Sequence, residues 1–152
     1  MHAISILHRT LVSECSSMHA KRRECLVAAV QSAISGRHLS VSELGRGLSG
    51  AVAIKHNIKR VDRLLGNVHL HSERIDVYTS LARHHLAGVR TPLIVVDWSD
   101  LSEDRRWQLL RASVALDGRS VTLYEEVHPL SRLAAPGVRA RFVAQLKGVR
   151  AL

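Results

Sequence analysis

Apolar residues recur at two different spacings along the chain, and the spacing changes near residue 90. Before that point they recur every three or four positions, which is the period of amphipathic helices. After it they form short runs, continuous or alternating, that are typical of strands. Gly88 and Pro92 stand at the change, and both residues favour the end of a helix. The sequence therefore predicts an α+β protein with a helical domain at 1–90 and a second domain at 91–152.

Three helices are predicted in the first 66 residues. Residues 20–35 place small and apolar side chains at helical spacing and are followed by a glycine. Ser40 or Ser42 can cap a short helix that follows. A turn with two glycines comes next, and a third helix is predicted from about residue 52 to Gly66.

The third predicted helix combines one apolar stripe with a basic remainder. Its stripe consists of Ile54, Ile58, Val61 and Leu65. Five side chains project from the rest of its circumference, namely Lys55, His56, Lys59, Arg60 and Arg63. One face can therefore pack on the earlier helices while the other presents cations to phosphates. The layout is similar to a helix-turn-helix, and an ordinary solvated face of an amphipathic helix is the alternative.

A fourth helix is predicted to open at Ser72 and Glu73 and to end at Gly88. Its apolar stripe consists of Ile75, Tyr78, Leu81 and Ala82. His84 and His85 are neighbours near its end, so we predict that they point in different directions. A shared metal ion is then not expected, and a structural role is favoured.

Three strands and a closing helix are predicted in the second domain. Leu93 to Trp98 should form a central strand buried on both faces, with Leu93, Val95 and Asp97 on one side. It should lie between the two strands that follow it, or beside the first of them. Two further strands, at about 106–116 and 119–127, are separated by Asp117–Gly118, a two-residue hairpin signal. The closing helix begins near Pro136, and its apolar stripe consists of Val138, Phe142, Leu146 and Val149.

The charge balance favours a polyanionic partner. The chain carries 22 Lys and Arg against 13 Asp and Glu, a net charge of +9. Divided after residue 90, the first part holds 13 basic and 6 acidic residues and the second part 9 and 7. Nucleic acid is the first candidate for a partner, and the first domain is the first candidate to bind it.

The two cysteines and the lack of long apolar runs indicate where in the cell the protein is expected. Cys15 and Cys25 are too few for a disulfide framework and lack the spacing of a zinc site, so we predict buried thiols in a reducing cytoplasm. No apolar run has membrane-spanning length, and residues 1–9 do not follow a signal-peptide pattern. We therefore predict a soluble protein that does not contact a membrane.

Three stretches of the sequence carry a resemblance to a known family. "KHNIKRVDRLLGNVHLH", "VVDWSD" and "LRASVALDGRSVTLYEE" closely resemble the N-terminal portion of bacterial insertion-sequence transposases of the DDE class, the cut-and-paste group that excises through DNA hairpins. The resemblance extends to about Ser131. It implies a ribonuclease-H-like core, here three strands and a helix, after the helix-turn-helix-like region. It also implies a bacterial, nucleoid-associated protein.

In that family the first of three catalytic acids lies at the centre of the first core strand, and the matching residue here is Asp97. The resemblance implies that Asp97 is catalytic and binds Mg²⁺, for which Mn²⁺ can substitute, because such cleavage uses two divalent ions held by carboxylates. Asp100 is instead predicted to cap the turn after the strand. Glu125 and Glu126 are predicted to be surface charges, and Trp98 a core residue.

The other two catalytic acids of the family have no counterpart in this sequence, so we expect a truncated transposase that does not cleave DNA alone. Two hypotheses remain open. In the first, the chain is a transposase fragment whose family cuts DNA. In the second, it is a DNA-end-binding module without catalysis that inhibits intact transposase. Both predict double-stranded DNA at transposon ends as a partner, with a transposase protomer as a further partner.

Overall fold

The structure is a computed structural model that describes residues 2–116, 118–133 and 135–149. The described residues form six α-helices and three strands, and a short 3₁₀ turn at Leu130–Arg132. In chain order they are α1 (His2–Glu14), α2 (Ala20–Ser35), α3 (Val41–Arg46), α4 (Ile54–Leu65), α5 (Val68–Leu86), β1 (Ile94–Asp100), β2 (Trp107–Leu116), β3 (Arg119–Pro129) and α6 (Val138–Gly148). The chain divides into two compact units, residues 1–77 and 78–152.

The core of the first unit lies between α1 and α2. Its buried side chains are Leu11, Cys15, Met18 and Val27, and apolar residues of α5 pack against them. Helix α1 is an element that the sequence analysis did not predict. Helix α2 has the predicted bounds, and both cysteines are buried free thiols, as expected.

Helix α3 is fixed at its start and against both neighbouring helices. Ser40 is its cap, because the Ser40 hydroxyl accepts a hydrogen bond from the Glu43 N–H at 3.2 Å. The hydroxyl of Ser32 on α2 donates to the Leu44 carbonyl at 2.8 Å. On the side of α4, a Cβ at Gly45 would lie 2.5 Å from the Ile58 Cα, so only glycine permits this approach.

The predicted apolar stripe of α4 is partly wrong. The buried residues of the helix are Asn57, Val61 and Leu64, whereas Ile54 and Leu65 are 57% and 48% exposed. The reason is that Asn57 is buried with a partner, since its amide nitrogen donates to the Leu48 carbonyl at 3.5 Å. The face predicted from apolar residues alone is therefore rotated about the helix axis relative to the face of α4 that is buried.

Helix α5 begins four residues earlier than predicted, at Val68 instead of Ser72. Asn67 provides the start, because its side-chain oxygen accepts hydrogen bonds from the N–H groups of His69 and Leu70. The division between the compact units falls within α5, and the predicted domain boundary near residue 90 stays a prediction. Counted by these units, the basic and acidic residues number 11 and 6 in the first and 11 and 7 in the second, so the basic excess is shared.

The second unit contains an antiparallel sheet in the order β1-β2-β3. The three predicted strands are confirmed, and the first lies beside the second. Leu123 is an extra residue in β3, between the partners of Ala112 and Ser113, and this bulge leaves both Leu123 and Tyr124 buried. Asp117 of the predicted hairpin turn lies outside the described residues, and Gly118 has φ +73°.

Helix α6 packs on one face of the sheet. Its predicted stripe is confirmed, since Val138, Phe142 and Leu146 are buried, and the Phe142 ring lies 5.2 Å from that of Tyr124. The prediction that β1 is buried on both faces is wrong, since Val95 is 51% exposed. Of the two positions predicted for this strand, it takes the one beside β2, and within the described residues it is an edge strand.

No helix in the described part of the chain is long and apolar enough to cross a membrane.

Candidate functional site

The outward face of α4 is a basic surface. Lys55, His56, Lys59 and Arg63 are all exposed and lie opposite the buried side of the helix. We call these four residues the α4 basic face. Three of them, Lys55, Lys59 and Arg63, follow each other at intervals of four, so they form one row along the helix.

The one carboxylate on α4 is that of the exposed Asp62, and it forms no ion pair with the α4 basic face. None of the ion pairs formed among the described residues involves its four side chains. Like charges four residues apart on a helix destabilise it slightly, by about 0.2–0.5 kcal/mol per pair. The row therefore costs a little stability in the free protein, and a bound anion would relieve that cost.

Arg60 differs from the other predicted DNA-binding residues. Its Nε donates to the Sγ atom of Cys25 on α2 at 3.3 Å, so its side chain is directed towards the neighbouring helix. Arg60 thus helps to hold α4 on α2, and it flanks the basic row instead of belonging to it.

Asp97 lies in the middle of β1 with an exposed carboxylate. Its Oδ1 accepts a hydrogen bond from the N–H of Trp98 at 2.8 Å, and its second oxygen has no hydrogen-bond partner among the described residues. Trp98, predicted to be a core residue, is only half-buried, and its ring lies 5.5 Å from that of His128. Its indole nitrogen is buried without a partner in the described residues.

The neighbours of Asp97 form a row of charges across the sheet. Arg111 is directly opposite Asp97 on β2, and Glu125 is directly opposite Arg111 on β3. Arg111 Nε donates to Glu125 at 2.9 Å. Glu125 therefore compensates the charge of Arg111, and no ion pair of Asp97 is formed within the described residues.

The surroundings of Asp97 do not fit a two-metal centre by themselves. A cavity of about 260 Å³ beside it is lined by Val95, Asp97, Trp98, Ser99, Arg111, Ser113 and Ser120. Asp97 is the one carboxylate in that lining, and Arg111 adds a cation that repels a metal ion. Across the described residues, no group of three or more His, Cys, Asp or Glu side chains could hold a metal ion. A carboxylate oxygen suits Mg²⁺, but one carboxylate does not hold two ions.

The prediction that Asp100 caps the turn after β1 is wrong. Asp100 accepts a hydrogen bond from the amide of Gln108 at 2.8 Å and pairs with Arg105 at 3.1 Å. The turn is held by Asp104, which accepts hydrogen bonds from the Ser102 hydroxyl and from the Arg106 N–H. The Ser-x-Asp sequence at residues 102–104, just before β2, is a turn signal that could have predicted this arrangement.

The prediction that Glu126 is a surface charge is also wrong. Glu126 accepts hydrogen bonds from the Tyr124 hydroxyl at 2.6 Å and pairs with His128 Nε2 at 3.0 Å. The Glu126 and His128 side chains are only 17% and 16% exposed. Residues two apart in a strand share a face, which is the signal that could have predicted this pair.

The prediction that the side chains of His84 and His85 point in different directions is wrong. Their rings make an edge contact with centroids 5.5 Å apart, and both line one cleft of the second unit. Burial and the neighbouring His84 lower the pKa of His85.

Comparison of the chain with protein-family models, curated proteins and solved structures gave no match.

Proposed function

We propose that the chain binds double-stranded DNA through the α4 basic face. The observation that carries this proposal is the row of Lys55, Lys59 and Arg63, which is exposed and forms no ion pair with any other described residue. Cations spaced one helical turn apart suit the phosphates of a duplex, and such contacts set affinity without reading bases. Helix α3, the turn after it and α4 then act as a helix-turn-helix.

The family resemblance extends this proposal to transposon ends. A transposase of the DDE class must hold the end of its element before any chemistry, so binding by residues 1–90 fits that family. On this proposal the sheet of the second unit is the beginning of a ribonuclease-H-like core, and Asp97 occupies the position of the first catalytic acid. Metal-dependent cleavage and strand transfer are then the activity of the family, with Mg²⁺ bound partly by the carboxylate of Asp97.

A second candidate function is DNA-end binding without catalysis. It is favoured by the surroundings of Asp97, which provide one carboxylate with Arg111 opposite. A chain of this kind would occupy transposon ends, or pair with a transposase protomer, and would thereby inhibit intact transposase. The two candidates share the α4 basic face and differ only in the role of Asp97.

Charge reversal on α4 tests the shared part. We expect the double variant Lys59→Glu, Arg63→Glu to bind a duplex oligonucleotide at least tenfold more weakly than the wild type, because two phosphate contacts become repulsive. The matched control is Lys21→Glu, Arg37→Glu, which reverses two exposed charges of the first unit outside α4. Equal losses in both variants would indicate a net-charge effect and would refute a role for α4.

A further inference from the structure

A cleft in the second unit has the chemistry of an anion site. It lies between the last turn of α5 and the ends of β2 and β3 that are joined by their hairpin, and its volume is about 420 Å³. This volume lies within the range of roughly 300–1,000 Å³ that is usual for ligand pockets. The lining residues are His84, His85, Leu116, Arg119 and Val121.

All the polar side chains in this lining can carry positive charge. Two imidazoles come from α5 and one guanidinium from the first residue of β3. No carboxylate belongs to the described lining, and the three side chains have no hydrogen-bond or ion-pair partner within the described residues. Three side chains that can all donate hydrogen bonds, in a lining whose described residues include no carboxylate, are expected to favour an anion.

The identities of the groups favour phosphate over a metal ion. Two imidazoles could ligate a metal, but Arg119 is always charged and would repel it. A guanidinium with its planar set of donors matches phosphate oxygens, and protonated imidazoles add charge-assisted hydrogen bonds. Leu116 and Val121 provide apolar walls, which suit the sugar that follows a phosphate in a nucleic acid strand.

The positions of the two histidines are consistent with a ligand between them and Arg119. Helical neighbours usually diverge, yet these rings lie 5.5 Å apart and both face the same cleft. In the free protein, burial and mutual repulsion keep the pKa of His85 below its usual range. A bound anion would favour the protonated ring and would reverse that shift.

We infer that the cleft formed by His84, His85 and Arg119 binds a phosphate group of the DNA backbone. The identification of DNA as the source of the phosphate rests on the proposed function. The cleft provides a contact in the second unit, in addition to the α4 basic face of the first. This second contact agrees with the nearly equal basic excess of the two units.

The ring protons of the histidines report directly on this cleft. Nuclear magnetic resonance spectra of the full chain are recorded during titration with inorganic phosphate and, separately, with a short duplex oligonucleotide. We expect the signals of His84 and His85 to shift in both titrations, while those of the exposed His38 stay unchanged with phosphate. Shifts with the duplex alone also support the inference, since a strand presents several phosphates at once. Shifts with phosphate alone would assign a small-anion site and overturn the role of DNA, and shifts with neither would overturn the site.

A variant pair separates this inference from the proposed function. His84→Gln combined with Arg119→Gln should reduce the slope of log affinity against log salt by about 1, as expected for one lost phosphate contact. Arg139→Gln, an exposed arginine on α6, is the control and should leave the slope unchanged. If the cleft variant binds like the wild type while the α4 variant does not, the inference fails and the proposed function stands. If the wild type binds no duplex, the proposed function fails, and the phosphate titration alone decides whether the cleft is an anion site.

Discussion

At the scale of single residues, the size of one residue can set how closely two helices pack. Gly45 is the sharpest example, because any Cβ there would meet the backbone of Ile58. The position of α4, and with it the α4 basic face, depends on this contact. A glycine on a six-residue helix lowers its intrinsic stability, so the close packing is the physical reason for its presence.

Gly45→Ala should therefore destabilise the protein, by roughly 1–3 kcal/mol, which is the usual cost of forcing extra atoms into a packed contact. Chemical denaturation gives the free energy of unfolding. The control is Gly148→Ala on α6, where no described atom outside the adjacent residues and the helix's own backbone lies within 4 Å of the added Cβ, and its stability should stay equal or rise slightly. If Gly45→Ala were as stable as the wild type, the close approach of α3 and α4 would be wrong.

His85 gives a pH dependence with a definite sign. Its pKa is lowered in the folded protein, so the unfolded chain binds more protons as the pH falls below the ordinary value of about 6.5. The stability that the neutral His85 contributes is present above about pH 6.5 and is lost as the pH falls through the lowered pKa. We expect His85→Gln to show a smaller loss of unfolding free energy between pH 7 and 5, in phosphate-free buffer. His38→Gln is the control, and an unchanged slope in His85→Gln would contradict the lowered pKa.

At the scale of elements, hydrophobic periodicity predicted correctly those helices and strands whose position depends on apolar residues. It predicted wrongly the contact face and the helix start that depend on buried or capping polar residues. The bounds of α2, the three strands and the stripe of α6 follow from the spacing of apolar residues, and all are confirmed. The face of α4 was predicted wrongly because a polar residue, Asn57, occupies a buried position. The start of α5 was predicted wrongly because a cap at Asn67 outweighed the later Ser72.

The candidate sites show the same division. The exposed cations of α4 could be predicted, because a charged side chain on a helix follows the period of the helix. The row of Asp97, Arg111 and Glu125 could not, because it depends on the register between three strands. The cleft of His84, His85 and Arg119 joins residues that are more than thirty positions apart, and only the packed structure brings them together.

The packing of α6 on the sheet gives a prediction at this scale. Phe142 is fully buried against Tyr124, so Phe142→Ala should lower the free energy of unfolding by about 3–5 kcal/mol. Val143, the next residue, is 39% exposed, and Val143→Ala should cost less than about 1 kcal/mol. Equal losses in the two variants would show that α6 does not use the predicted stripe.

At the scale of the whole molecule, we propose DNA binding that does not depend on catalysis. Asp97 belongs to the second unit, and within the described residues no second carboxylate shares its cavity. We therefore expect that the 152-residue chain neither nicks nor hairpins a DNA end in Mg²⁺ or Mn²⁺. Asp97→Ala should bind a duplex as well as the wild type does. Cleavage by the wild-type chain that is lost in Asp97→Ala would show instead that a complete metal centre forms.

The most direct test of the central claim is the salt dependence of duplex binding by the wild type and by Lys59→Glu, Arg63→Glu. Each phosphate neutralised contributes about 0.9 to the slope of log affinity against log salt, because binding releases condensed counterions. We expect a steep slope for the wild type and a slope smaller by about 2 for the variant, with the Lys21→Glu, Arg37→Glu control close to the wild type. Equal slopes for all three proteins would show that α4 does not contact the phosphates and would contradict DNA binding through the α4 basic face.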